Sequence, residues 1–248
     1  MPTRRNFIKQ SSLAAAGLAL TNNNWFKNKE LIGLQLYTLR SEIVKDLEGT
    51  IARVASIGFN SVELFGYGNG KFFGKTPEEF SALLKRYDLK TPSGHYMMMS
   101  YLTKGDEEDL KKTVSDAAKM GHAYLTVPFL LDNMRTSLDD YKKLAEKLNV
   151  AAKEASTAGL KLLYHIHNFE FKDWGEGKTG FDVFVKETDA SMVGFEMDIY
   201  WVVRAGLDPV KIIKENPGRI KAWHVKDMEK KVDATDTTNG EQYFTEVG

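Results

Sequence analysis

A chain of 248 residues with 42% hydrophobic and 11% aromatic residues has enough apolar surface for one large α/β domain or two small ones, which excludes a disordered chain. Lys+Arg and Asp+Glu are both 34, so no global charge draws the protein to nucleic acid. With no cysteine, disulfides, thiolate metal sites and cysteine nucleophiles are excluded as well.

Residues 1–24 read as a targeting segment rather than as part of the fold. Thr3-Arg4-Arg5-Asn6-Phe7-Ile8-Lys9 precedes the short apolar run Leu13–Leu20, LAAAGLAL. A basic start followed by a short apolar stretch is a secretory pattern, and the paired arginines make it twin-arginine-like. A basic amphipathic helix is the alternative. The run is well short of the roughly 20 residues that span a bilayer, so no stable membrane span is expected. The expected destination is the periplasm, by a route that carries folded proteins.

From Leu31 the chain alternates short apolar strands with amphipathic helices. Strands are predicted at Leu31–Tyr37, Ser61–Phe65, Lys90–Tyr96, Ala123–Val127, Lys161–His167, Val193–Asp198, Ile220–Val225 and Tyr243–Val247. Helices are predicted at Leu47–Ile57, Pro77–Tyr87, Glu107–Met120, Leu138–Ala158, Phe181–Thr188 and Pro209–Glu215, several stopped by glycine. Strands that read as buried on both faces and alternate with helices imply a parallel sheet. This α/β pattern matches a (β/α)8 TIM barrel over residues 31–248 better than an open sheet. No Gly-x-Gly-x-x-Gly follows the first strand, which argues against a dinucleotide fold. The chain ends at Gly248, directly after the expected eighth strand, so the barrel is expected to lack its C-terminal helix through truncation.

Residues able to bind a metal recur where these strands end. They are His165 and His167, Glu196 and Asp198, His224, and finally Glu246. Residues two apart on a strand face the same way, so each of the first two pairs shares a side. Histidines and carboxylates on neighbouring strand ends can converge on one divalent cation. A lone histidine on an apolar strand is more often a hydrogen-bonded core residue, but several together reverse that reading.

Other polar residues fall near the same ends. Gln35 lies on the first strand, Glu63 on the second and His95 on the third. Glu63 is a buried charge unless it lines a pocket, which favours substrate contact over a salt bridge. His95 is open between substrate contact and a loop role. Glu170 either supports a ligand, takes part in the chemistry or belongs to the loop. Lys226 shares the parity of His224 and either binds a substrate oxygen or sits on the rim. Trp201 is open between packing and stacking on a sugar. Met97-Met98-Met99 reads as a flexible apolar lid or rim packing, and His122 as structural.

The stretches GLQLYTLR from Gly33, VELF from Val62, YHIHNFEF from Tyr164, MDIYW from Met197 and HVKD from His224 resemble the xylose isomerase-like TIM-barrel superfamily, in its sugar phosphate isomerase/epimerase branch. The resemblance implies one bound divalent ion (Mn2+, Mg2+, Co2+ or Zn2+) held by His167, Asp198, His224 and Glu246. It implies proton abstraction beside the carbonyl of a sugar or keto-sugar. Histidines stand where ketose 3-epimerases carry a strand-5 carboxylate, which departs from a symmetric two-glutamate epimerisation. His165, with an ordinary pKa near 6.5, then suits a general base. Glu170 and Lys226 are further candidates for the chemistry, and Gln35, Glu63, His95 and Trp201 for holding substrate. The expected activity is isomerase or epimerase. The alternatives are a lyase or hydrolase on 3-keto-glycosides using the same site, a non-catalytic carbohydrate-binding barrel, and an abasic-DNA nuclease. Five histidines and a neutral charge argue against the nuclease.

Overall fold

The computed structural model describes residues 33–229, 243–245 and 247. The expected targeting segment and Glu246 lie outside these residues.

Seven parallel strands follow one another across one sheet in chain order. They are β1 (Gly33–Gln35), β2 (Ser61–Leu64), β3 (Lys90–His95), β4 (Tyr124–Val127), β5 (Lys161–Ile166), β6 (Val193–Asp198) and β7 (Ile220–His224). The crossover helices are α1 (Leu47–Ile57), α2 (Pro77–Arg86), α3 (Glu107–Met120), α4 (Leu138–Thr157), α5 (Gly180–Glu187) and α6 (Pro209–Glu215). Parallel neighbours need such a crossover, and right-handed crossovers laid in sequence curl the sheet toward a barrel.

Local chemistry fixes the helix ends. The Thr76 hydroxyl accepts from Glu79 N at 3.3 Å and the Glu79 carboxylate accepts from Thr76 N at 2.8 Å, with Pro77 opening the first turn of α2. At the other end of α3, Gly121 takes φ 77°, a conformation that costs glycine little. The core lies between sheet and helices. Tyr164 of β5 is fully buried against Phe184 of α5, with ring centroids 4.7 Å apart.

One sequence expectation is corrected. The expected eighth strand does not extend the parallel sheet among the described residues. Phe244–Thr245 instead pairs antiparallel with Asp227–Met228. The methionine run takes the second of its two readings, rim packing: Met98 is 4% exposed, Met97 lines the cleft, and a short helix, Met99–Lys104, begins immediately after Met98.

Register decides which side chains meet. Gln35 pairs with Glu63 and Glu63 with Ser93. His165 pairs with Glu196, and Asp198 with His224. The polar residues of six strands therefore come level at the C-terminal end of the sheet, where the strands of a barrel present their functional groups.

Candidate metal centre

Glu63, His95, His165, Glu196 and His224 meet in one buried network. His165 Nδ1 donates to Glu196 Oε2 at 2.7 Å, and His95 Nε2 donates to the same oxygen at 2.9 Å. His224 Nε2 donates to Glu63 Oε2 at 2.6 Å. The other Glu63 oxygen accepts from Ser93 Oγ at 2.6 Å, and Gln35 Nε2 donates to His95 Nδ1 at 3.3 Å.

These bonds fix which ring nitrogens remain available. His165 spends Nδ1 on Glu196, which leaves Nε2. His224 spends Nε2 on Glu63, which leaves Nδ1. Both remaining nitrogens turn toward one atom, Asp198 Oδ2, at 3.7 Å and 3.8 Å. His224 Nδ1 is buried with no hydrogen-bond partner among the described residues. A carboxylate behind each imidazole, with the far nitrogen free, is the usual support of a histidine ligand.

His95, His165, Glu196 and His224 also have ligand atoms within 4.8 Å of one another. In that set, however, the Nδ1 of His165 and the Nε2 of His224 are already hydrogen-bonded to carboxylates. We therefore place the candidate ligand set at His165 Nε2, Asp198 Oδ2 and His224 Nδ1, with the inner network as its support. An imidazole and carboxylate donor set fits Mn2+, Co2+ or Zn2+ better than an all-oxygen ion site does.

Electrostatics follow the same division. Burial alone would raise the Glu196 carboxyl, but His224 and His95 hold it down at about 2. Burial also acts to raise Asp198, and the neighbouring His224 ring and the Lys226 charge outweigh it, leaving Asp198 below the ordinary range. For His224 burial acts downward, yet Glu196 and Glu63 carry it well above its ordinary value. His165 is lowered well below, mainly by burial. Burial likewise lowers His167 to about 3.

The remaining expected site residues sit around this centre. His167 stands on the wall of the cleft, its ring 4.7 Å from that of His165 and stacked at 5.1 Å on Phe169. Trp201 lies beside it at 5.4 Å and is 8% exposed. Glu170 is fully buried behind that wall, accepting from the Tyr164 hydroxyl and from His167 N, so it braces the loop rather than facing the cleft. Lys226 Nζ donates to Asp198 Oδ2 at 2.6 Å and lines the cleft. Of the expected ligands, Asp198 and His224 come together, His167 stands one ring away, and Glu246 lies outside the described residues. Of the residues expected at the substrate, Glu63 and His95 touch the histidines and carboxylates, and Gln35 and His95 also line the cleft.

Ser93, which holds Glu63, is not among the expected site residues, although its parity with His95 is a usable signal. The contribution of Phe129, Arg135 and Phe169 to the wall had no sequence signal. Phe129 meets His167 at 5.3 Å, and the Arg135 guanidinium lies 3.7 Å over Phe169. The cleft above the centre has a volume of about 1440 Å³.

Comparison with known proteins places the chain in a family. Residues 51–242 match the family model described as xylose isomerase-like TIM barrel. The chain is similar to a crystal structure of a sugar phosphate isomerase/epimerase from Parabacteroides distasonis, with 30% identity and a TM-score of 0.72 over 84% of this chain and 81% of that one. It resembles in fold the probable 3-DHS dehydratase AsbF of Bacillus anthracis, with 14% identity and a TM-score of 0.64 over 84% of this chain and 76% of that one. Among curated proteins it is 25% identical over 202 residues to the inosose dehydratase of Clostridium beijerinckii, and 24% identical over 195 residues to that of Geobacillus kaustophilus. These matches take in 73% and 72% of this chain but 63% and 61% of the two relatives. The chain belongs to the xylose isomerase-like TIM barrel family.

Proposed function

We propose that this protein is a metal-dependent enzyme that removes a proton from the carbon next to the carbonyl of a keto-sugar. One observation carries the reading. Two buried carboxylates, Glu196 and Glu63, each bind one nitrogen of a histidine and leave the other facing Asp198 Oδ2. His165, Asp198 and His224 would hold a divalent cation, which when bound would supply positive charge to stabilise a developing oxyanion and so acidify the neighbouring C–H. Glu246 is retained as a proposed fourth ligand.

The chain's own residues do the rest. His167 lines the cleft beside His165, and its buried Nδ1 has no hydrogen-bond partner among the described residues, which makes it the group placed to take the proton. Glu170 holds the backbone of His167 in place. The rings of Phe129, Phe169 and Trp201 pack around His167 and give that side of the cleft an apolar wall.

Two outcomes share that first step. Returning the proton to the adjacent carbon or the opposite face gives an isomerase or epimerase. Breaking the C–O bond one carbon further on places the electron pair of the lost C–H in a new C=C, and the hydroxyl leaves with a proton as water. The relatives named inosose dehydratase favour elimination. Export by the twin-arginine route belongs to the same proposal and rests on Arg4, Arg5 and the run that follows.

The test is elemental analysis of the full chain beside Asp198→Ala, together with exchange of substrate C–H for deuterium across a keto-sugar panel, followed by NMR. One divalent ion per chain, lost in the variant, with exchange in the parent is the expected result. No ion in either protein would overturn the reading, and an ion without exchange would mark a carbohydrate-binding barrel.

A further inference from the structure

Asp198 is fully buried and has little freedom in how it uses its two oxygens. Its Oδ1 accepts from Tyr200 N at 3.1 Å and caps the short helix Ile199–Arg204. Oδ2 is the oxygen toward which His165 Nε2 and His224 Nδ1 turn, at 3.7 Å and 3.8 Å. Lys226 Nζ sits on that same oxygen at 2.6 Å.

An ammonium and a metal ion compete for such a position. A carboxylate oxygen binds a divalent first-row ion at about 2.0–2.2 Å. An ammonium hydrogen-bonded to the same oxygen would then lie within a few ångströms of a doubly charged ion, in a buried site where like charges repel strongly. The surroundings of Lys226 allow it to leave. Its side chain is 27% exposed, it lines the cleft, and the face of Phe244 lies 4.8 Å from Nζ. Phe244 belongs to the antiparallel pair that begins one residue after Lys226, so this aromatic face stands beside the lysine's own segment and offers the ammonium a cation–π contact away from Asp198.

We infer that Lys226 is the resident counter-cation of the centre: its ammonium holds Asp198 Oδ2 in the ion-free protein and is displaced into the cleft when a divalent ion binds. The inference rests on the metal site proposed above. It explains how three carboxylates, Glu63, Glu196 and Asp198, stay buried together before any ion arrives. It also ties ion loading to the appearance of a free ammonium in the substrate cleft, so the cleft gains a donor for a substrate oxygen only once the ion is in place.

The experiment is calorimetric titration of Mn2+ into the chelator-stripped full chain, as wild type, Lys226→Met and Lys226→Gln, with melting curves before and after loading. Removing the competing ammonium should tighten Mn2+ binding about tenfold or more in both variants, because the ion no longer has to break a charge-assisted bond. Both variants should melt below wild type without the ion and gain more from loading it. Equal or weaker Mn2+ binding in the variants would overturn the inference and make Lys226 a support of Asp198, while leaving the metal site standing. Failure of all three proteins to bind Mn2+ or Zn2+ would overturn the metal site, and this inference with it.

Discussion

Glu63 of β2 accepts a hydrogen bond from His224 Nε2 of β7 at 2.6 Å, across 161 residues of sequence. That bond makes Nδ1 the nitrogen His224 can offer to a metal. Ser93 holds the other Glu63 oxygen at 2.6 Å, so the carboxylate cannot turn away.

Glu63→Gln should therefore weaken metal binding without removing a ligand. Loss of a carboxylate behind a histidine ligand typically costs about 10- to 100-fold in affinity or activity. Competition with a chelator of known strength measures it. Unchanged affinity would mean that His224 is oriented by something else.

His122 gives the protein one pH-dependent element away from the cleft. Tyr96 Oη donates to its Nδ1 at 3.1 Å, and its Nε2 donates to Thr91 Oγ1 at 3.0 Å, so the neutral ring is satisfied at both nitrogens. Burial lowers its pKa from 6.5 to about 4. The unfolded chain binds the proton more readily, so this stability is present above about pH 6.5 and is lost as pH falls toward 4. Between pH 7 and pH 5 the parent should lose about 2 kcal/mol more than His122→Gln, read from urea unfolding. Equal losses would contradict the buried neutral ring.

Glu170 acts with the opposite sign. Burial raises it from 4.5 to about 7, against the bonds from Tyr164 and His167 N. Here the folded state holds the proton more tightly, so stability is full below about pH 4.5 and falls as pH rises through 7. Glu170→Gln keeps the shape and removes the ionisation, with Tyr164 Oη free to accept from the amide. The variant should match the parent at pH 5 and exceed it by about 2–3 kcal/mol at pH 8. Denaturation at the two pH values decides it.

Gly94 of β3 packs directly against the His122 ring, and a Cβ there would come within 2.6 Å of Cε1. The ring cannot give way without breaking its bonds to Thr91 or Tyr96. Gly94→Ala should cost about 1–3 kcal/mol, measured by urea unfolding at pH 7. A smaller loss would show that the ring relocates freely.

Much of the fold was legible because each element carries its own signals. Glu107–Met120, Val193–Asp198 and Pro209–Glu215 form with the expected bounds, since caps, glycine stops and apolar runs act within a few residues. The last strand was misread because Tyr243–Val247 has strand composition whichever neighbour it pairs with, and Phe244 pairs with Met228 rather than extending the sheet. Strand parity grouped His165 with His167 and Glu196 with Asp198. It could not show that β5 ends at Ile166, which leaves His165 in the network and His167 on the cleft wall.

The sequence by itself determined the alternation of strands and helices, the parallel sheet, and the supply of histidines and carboxylates to one end of it, because periodicity and turn chemistry are local. Tertiary structure alone decided which nitrogen of each histidine is spent on a carboxylate and which faces Asp198. That choice depends on strand register and on pairs such as Glu63 with His224, whose contact energy exists only once seven strands have been brought side by side.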